Sequence, residues 1–403
     1  MNVLIGLVFS LCPPMLLVAL LILVKSPEHW RKYLWMLVLM MMTLGYAYIP
    51  INNSDLVRYF SILDRFKGHS FSQSFHVYED GMYVKNMLFW AISQTGLYGL
   101  LPAATVGVVY GVSSYITCCT AEKYGKEELI PAILLLQFLL LPFYSITNNI
   151  RNVMAFALVA LAVYRDIELK KKNVLTVILY IVPCMIHVAA VSLILLRFVV
   201  IIAKKHKYIV LAFVFFLTNI IEILYRNISL FSFSNALRIG ILRAYKYLSD
   251  EYASSTWGTT VANSSWHRIN MLFHIVLAIS IILVIALQKH RVSDTEEDTI
   301  SNYDYYIYLT ALMMVSSLVF NAPHYWRYGV AISAMIGYFI VRQNINIRRF
   351  RAPITITLWL VACGEFVLQA TRLIAVARTT TWLTDWLFSS PLRILAELLI
   401  RLF

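Results

Sequence analysis

The sequence predicts an all-α protein, a polytopic bundle of about 12 transmembrane helices. Its 403 residues are 60% hydrophobic and only 14% charged, whereas soluble domains carry about 25% charged residues. The apolar residues also fall in stretches of roughly 18 to 25, long enough to cross the ~30 Å hydrocarbon core of a bilayer. Because a soluble globule of this composition would have too little polar surface, we expect a single integral membrane domain over residues 1–403.

The predicted spans are separated by polar or basic segments. The first of them has no basic segment before it, so we expect an uncleaved helix there and no signal peptide. Ten spans follow directly from the apolar stretches, near residues 2–24, 33–50, 96–119, 129–147, 152–168, 208–226, 271–287, 303–320, 327–341 and 352–375.

One further apolar stretch, Val174 to Ala203, is interrupted by Pro183 and His187. Both of its flanks, at 170–172 and 204–207, are strongly basic. The positive-inside tendency places both flanks in the cytoplasm, which requires an even number of crossings. We therefore predict a hairpin of two short helices with His187 near its tip.

The same orientation makes 51–84 and 227–270 outward-facing loops. The cations on that side are mostly arginine, whose planar fork suits phosphates and carboxylates. The C-terminal segment, 381–403, alternates leucines with Arg393, Glu397 and Arg401. This pattern favours an amphipathic helix lying in the membrane interface over a final span.

Several classes of protein are excluded by the residue inventory. The chain has no G-x-G-x-x-G or P-loop motif to cradle a nucleotide. The net charge of +13 comes from residues between apolar segments, which is not the pattern of a nucleic-acid-binding domain. The five cysteines lack zinc spacing, and no pair of carboxylates has a spacing that demands Mg²⁺. We expect no cofactor, no metal and no nucleic-acid partner.

Polar residues at predicted span boundaries are the candidates for function, because charge is costly in lipid unless it faces a wet cavity or a partner. The strongest cluster is Asn-Asn-Ile-Arg-Asn at 148–152, at the outer ends of two spans. Arg151 alone could be an anchor that snorkels to the headgroups. The flanking Asn148, Asn149 and Asn152 form a polar cluster that snorkelling does not need.

Three weaker signals lie on the same predicted side. His324 and Arg327 are three apart and would share a helical face, although the neighbouring aromatics would suit an interfacial belt. His187 is alone on an apolar segment, where a core residue is the simpler reading. In the first outer loop, Asp55 and Tyr59 would project together from a helix that opens after Ser54. Arg58 and Glu79 complete that charged region, for which a solvated loop is the alternative.

In chain order, five of these pieces are similar to the EpsG-type branch of the Wzy polysaccharide polymerases, which make O-antigen, capsule or exopolysaccharide. They are Asp55 to Tyr59, Glu79, Ile150-Arg151-Asn152, His187-Val-Ala-Ala and Arg327 with its aromatic helix. Asn152 departs from the family pattern, in which Gln would follow the Arg. The resemblance implies a fold of the lipid-dependent C-type glycosyltransferase kind.

The resemblance also implies a substrate and a place. The substrate would be an oligosaccharide linked to undecaprenyl pyrophosphate, at the outer face of the bacterial inner membrane, with the active site facing the periplasm or exterior. A flippase and a chain-length regulator would be partners. Within enzymes, an O-antigen-ligase-like or other lipid-linked-sugar transferase is the alternative. A lipid-oligosaccharide flippase is another, but it predicts two related halves, and the sequence has no internal repeat.

The chemistry of such a transfer assigns a role to each candidate. Negative charge builds on the leaving diphosphate and needs cations, for which we expect Arg151 and Arg327. The acceptor hydroxyl needs a positioned base. The candidates for the base are Asp55, Glu79, His187 and His324, and those for further diphosphate or sugar contacts are Arg58, Tyr59, Asn148, Asn149 and Asn152.

Overall fold

The computed structural model describes residues 24–50, 54–77, 81–205, 223–248, 264–289, 301–319, 325–346 and 351–376, and all the secondary structure in these ranges is helical. Short 3₁₀ turns lie at Pro27–His29, Glu127–Leu129 and Ile228–Phe231, and a π-helical turn at Tyr164–Glu168. The α-helices are α1 Trp30–Ala47, α2 Asp55–Phe66, α3 Phe71–Ser74, α4 Tyr83–Thr95, α5 Leu100–Lys123, α6 Ile130–Leu140, α7 Phe143–Asn148, α8 Ile150–Val163, α9 Val174–Ile186, α10 Ala190–Lys205, α11 Asn235–Leu248, α12 Ser265–Lys289, α13 Asn302–Val319, α14 Tyr325–Asn346 and α15 Arg351–Val376.

Within the described ranges, three helices are long and apolar enough to cross a bilayer: Leu100–Lys123, Ser265–Ile285 and Pro353–Thr371. Helices α9 and α10 are also apolar, but each is shorter than these. The predicted all-α class is therefore confirmed for the described chain, and three candidate spans support a membrane protein. The described helices do not establish the more detailed prediction, which is a bundle of about 12 spans.

Helix α5 lies at the centre and packs against α1, α6, α7, α8 and α14. Small residues allow these close approaches, as they do between membrane helices generally. A Cβ on Gly45 of α1 would lie 3.1 Å from the Cα of Ala103. A Cβ on Gly337 of α14 would lie 1.8 Å from Thr117 Oγ1, so α14 could not contact α5 there with any larger residue.

Two sequence predictions need correction. The apolar stretch at 129–147 is not one span but two helices, α6 and α7, because Pro142 lacks an N–H and Leu141 before it is extended. Helix α4 lies in and beyond the predicted 51–84 loop and was not predicted, since Lys85 and Asn86 interrupt its apolar pattern. Both of these side chains are buried.

The predicted outward segments contain helices. Residues 51–84 include α2 and α3, which pack against α4, and 227–270 include α11 and the first turns of α12. The predicted span at 2–24 lies outside the described residues except for Val24, as do most of the span at 208–226 and the whole 381–403 helix.

The predicted break at His187 is present, between α9 and α10. Asp166, in the π-helical turn, accepts hydrogen bonds at Oδ2 from Tyr180 Oη of α9 at 3.1 Å and from Arg197 Nε of α10 at 2.7 Å. Because one carboxylate oxygen joins residues on opposite sides of His187, the chain turns back at this residue. We call α9, the turn and α10 the hairpin.

A second carboxylate, that of Glu168, connects helices at the end of the bundle where α5 and α8 finish. We call this end of the bundle the Glu168 end. Glu168 accepts hydrogen bonds from Lys123, from Tyr124 at 3.1 Å and from Tyr338 at 3.0 Å. Burial, together with the charge of Glu168, raises the pKa of Tyr124 to about 12, so its hydroxyl stays protonated and donates. Arg342 donates to the same Tyr124 oxygen at 2.7 Å. The opposite end, where α8 begins, is the Arg151 end.

Candidate functional site

Arg151, in the first turn of α8, lies against Tyr59 of α2. Its Nε donates to Tyr59 Oη at 3.2 Å, and its guanidinium carbon is 5.6 Å from the centroid of the Tyr59 ring. Tyr59 is buried and its ring packs edge-on against Phe89 at 5.8 Å. Because the Tyr59 ring is fixed by packing, the guanidinium is held by a cation–π contact and a hydrogen bond rather than extending freely.

Asp55 and Arg58 form an ion pair on the outer side of α2. Arg58 Nη2 lies 2.6 Å from Asp55 Oδ1, and both side chains are substantially exposed. Ser54 caps the helix by accepting from Val57 N at 3.3 Å, as predicted for a helix that opens there. Asp55 is therefore ion-paired with Arg58. The contact between Tyr59 and Arg151 does not involve Asp55.

The three asparagines lie at the junction between α7 and α8. Asn148 Nδ2 donates to the Tyr144 carbonyl at 2.8 Å, and Asn149 Nδ2 donates to the Ser145 carbonyl at 3.2 Å. Asn148 and Asn152 are buried, and their Oδ1 atoms accept no hydrogen bond within the described part of the chain. Buried acceptors without donors are rare, so these two amide oxygens are suited to donors from a ligand.

His187 is half-buried in the turn of the hairpin. Its Nδ1 accepts a hydrogen bond from the backbone N–H of Ala189 at 3.1 Å. In the neutral ring the proton must then be on Nε2. This tautomer makes His187 a hydrogen-bond donor to whatever Nε2 faces, and a poor proton acceptor.

Arg327 lies in the first turn of α14, which contacts both the hairpin and α8. The next residue, Tyr328, donates from Oη to Ser192 of α10 at 3.3 Å and packs against Phe156 of α8 with ring centroids 5.7 Å apart. Phe156 is one helical turn after Asn152. Arg327 is therefore at the Arg151 end of the bundle, on the helix that adjoins the asparagine cluster.

The structure thus brings Tyr59 and Arg151 into contact and gathers Asn148, Asn152 and Arg327 at one end of the bundle. Of the four residues predicted as possible bases, Glu79 and His324 lie outside the described residues. Among the residues that are described, no group of three or more His, Cys, Asp or Glu side chains could hold a metal ion.

One polar cluster was missed by the sequence reasoning. Asn270 and His274 of α12 and Glu365 and Gln369 of α15 are all buried. Trp266, one turn before Asn270, packs edge-on against Tyr144 at 6.1 Å, which places the cluster near Asn148. The sequence signals were Glu365 and Gln369 inside the apolar stretch 352–375 and His274 inside the stretch 271–287.

Gly329 fixes how closely α14 approaches α12. A Cβ at this position would lie 1.9 Å from Cδ2 of His274, so only glycine is compatible with the contact. Arg327 is two residues earlier on the same helix, and its position therefore depends on this contact.

The fold and this end of the bundle define an all-helical protein with candidate membrane spans and a buried polar cluster beside an arginine. The chain matches no protein-family profile, and comparisons with curated proteins and with solved structures give no match.

Proposed function

We propose that this chain is a membrane polysaccharide polymerase. It transfers a growing glycan from undecaprenyl pyrophosphate to a lipid-linked repeat unit at the outer face of the bacterial inner membrane. The observation that carries the proposal is the guanidinium of Arg151, held on Tyr59. The neighbouring Asn148 and Asn152 have buried amide oxygens to which no described residue donates. A cation beside hydrogen-bond acceptors suits a ligand that has both phosphates and sugar hydroxyls.

In the reaction, an acceptor sugar hydroxyl attacks the anomeric carbon of the donor glycan. The bond from that carbon to the diphosphate oxygen breaks, and the diphosphate leaves with the electron pair. Arg151 and Arg327 stabilise the charge that develops on the diphosphate. The amide oxygens of Asn148 and Asn152 accept from sugar hydroxyls and position the reacting carbon.

The proton of the attacking hydroxyl needs an acceptor. Asp55 suits this role better than His187, because Asp55 is a half-exposed carboxylate one turn from Tyr59 on α2, and its ion pair with Arg58 involves only one of its two oxygens, Oδ1. The Nδ1 of His187 already accepts from Ala189, so His187 suits hydrogen-bond donation from Nε2 to a substrate oxygen. Asp55 is thus the base that the described residues support best.

The test is reconstitution of the full chain in lipid vesicles with a lipid-linked repeat unit. A ladder of products supports the polymerase. A single transfer to a different acceptor would indicate a ligase-like transferase, and movement of substrate across the bilayer without bond formation would indicate a flippase. Either of the last two results would overturn the proposal.

A matched pair of variants links the activity to this site. Arg151→Lys keeps the charge at the site, and Arg31→Lys makes the same change at the Glu168 end, where Arg31 is exposed and ion-paired with Glu122 at 2.6 Å. We expect the ladder to be lost only in Arg151→Lys. Equal ladders from both variants would remove Arg151 from the mechanism.

A further inference from the structure

The turn that leads into α9 carries three consecutive exposed lysines, Lys170, Lys171 and Lys172. Lys170 has a left-handed backbone conformation, with φ at 54°, which is costly for a residue other than glycine. The N–H of Lys171 donates to the Arg165 carbonyl at 2.8 Å, and the carbonyl of Lys171 accepts from Thr176 Oγ1 at 2.6 Å. These bonds hold the lysines on an ordered turn in spite of its backbone strain.

Arg165, in the π-helical turn just before these lysines, is a nearly buried cation, with 9% of its surface exposed. Its Nε donates to Thr176 Oγ1 at 3.4 Å and its Nη2 to Asn173 Oδ1 at 3.2 Å, and both acceptors are neutral. None of the ion pairs in the described ranges includes Arg165 or Lys171. Because a charge in a protein interior is unfavourable without a counter-charge, Arg165 favours an anion at the surface beside it.

The charges of Arg165 and Lys171 act on the same part of α5. Tyr115 interacts electrostatically with Arg165, and Cys119 with Lys171. Tyr115 and Cys119 are four residues apart on α5, so they share a helical face, and both are partly exposed. Because this face is near the end of the candidate span Leu100–Lys123, the two cations lie where a bilayer would have its headgroups.

The acidic side chains of this region do not cancel the two cations. Each is ion-paired with another cation, Glu122 with Arg31 at 2.6 Å, Asp166 with Arg197 at 2.7 Å and Glu168 with Lys123. The positive charge of Arg165 and of the lysine turn is therefore the part that remains to attract a ligand.

An exposed apolar face of α9 begins directly after the lysines. Val174 is 75% exposed, and Val177 and Ile181 are each 53% exposed. These residues recur at intervals of three and four, so they lie on one side of the helix. Uncompensated positive charge that continues into an apolar helix face is suited to a ligand with an anionic head and hydrocarbon chains.

We propose that Arg165 and the turn Lys170–Lys172 form a headgroup site for an anionic phospholipid whose acyl chains lie along the exposed face of α9. Lysine and arginine near a membrane surface attract anionic lipids, and the arginine fork suits a phosphate. A zwitterionic lipid carries its own ammonium group, which these cations would repel. The site is at the Glu168 end, away from Arg151, and does not rest on the proposed function.

The test is thermal unfolding of the full chain in a neutral detergent, with phosphatidylglycerol or phosphatidylcholine of the same acyl chains added. A ligand that binds only the folded state raises its midpoint temperature. We expect a rise with phosphatidylglycerol and none with phosphatidylcholine. Equal rises with both lipids would overturn the proposal. Soluble glycerol phosphate should have no effect, and a rise with it would overturn the assignment to a lipid.

Variants assign the effect to this site. Lys171→Gln removes one charge and leaves both backbone hydrogen bonds of the turn in place. We expect it to raise the phosphatidylglycerol concentration needed for the same shift by about fivefold, and Arg165→Gln to weaken the response in the same direction. Lys67→Gln makes the matched change at an exposed lysine after α2 and should respond as the wild type does. An undiminished response in Lys171→Gln, or an equal loss in Lys67→Gln, overturns the proposal.

Discussion

Tyr59 and Arg151 are 92 positions apart in the chain, yet the phenol oxygen of Tyr59 accepts a hydrogen bond from Arg151 Nε at 3.2 Å. This contact joins the short helix α2 to the start of helix α8. The Tyr59 ring is itself held by Phe89, so Arg151 has a defined direction in the first turn of its helix.

Arg151→Lys is expected to insert stably and to lose about 10² or more in polymerisation rate. Lysine keeps the charge but lacks the planar fork that binds two diphosphate oxygens at once, and it cannot donate through an Nε to Tyr59. The measurement is the rate of ladder formation at equal protein level. Wild-type rates would mean that Arg151 is only a headgroup anchor.

Arg327→Lys is expected to be impaired in the same assay, and the double variant with Arg151→Lys should lose less than the product of the two single losses. Both arginines would act on one developing charge, and residues that act as a unit are not additive. Strictly multiplicative losses would contradict a shared diphosphate site.

Tyr59→Phe is expected to lower the rate by roughly tenfold, because it removes a hydrogen bond to a charged group while keeping the ring. Tyr98→Phe is the matched control. Tyr98 donates to Asp64 on the same helix α2, and burial raises the pKa of Tyr98 to about 12, so this hydroxyl stays protonated and donates at neutral pH. If both variants lose activity equally, Tyr59 supports α2 and does not orient Arg151.

His187→Asn separates the two roles of His187. The Asn side-chain oxygen can accept from the N–H two residues on, as Nδ1 does from Ala189, but its amide N–H groups do not reach the position of Nε2–H. We expect normal expression and at least tenfold lower activity, with His187→Leu no more active. Full activity of the Asn variant would reduce His187 to a turn-forming residue.

Arg197→Met is expected to destabilise the hairpin by about 3 kcal/mol, because it leaves Asp166 with a buried charge and no cation. The variant with both Arg197→Met and Asp166→Leu should regain most of that stability. The midpoint of thermal unfolding in detergent measures both. A double variant less stable than the single variant would show that Asp166 is held mainly by Tyr180.

Much of the helical architecture could be predicted from hydropathy and charge. The apolar stretch at 303–320 coincides with helix α13 Asn302–Val319, and the one at 352–375 with helix α15 Arg351–Val376, because apolar runs of this length favour helices. The break at His187 followed from the basic flanks of a single apolar stretch. These features depend on local sequence.

The contacts between helices could not be predicted in this way. The Arg197–Asp166 pair and the burial of Glu365 depend on which helices are neighbours, and a hydropathy average over about 20 residues hides a single Glu. Helix α4 was missed because Lys85 and Asn86 are polar residues of the kind expected at a surface, although both are buried. Tyr59 and Arg151 were both identified as candidates, but their contact was not predicted.

The contact between Gly329 and His274 has a consequence for how such a site can be altered. The distance between the first turn of α14 and α12 is set by the lack of a methyl group at position 329. A single added carbon would shift the turn that carries Arg327 while leaving every polar group of the site in the sequence. A comparison of charged and polar residues alone would find no difference between this variant and the wild type, although the distance between Arg151 and Arg327 had changed.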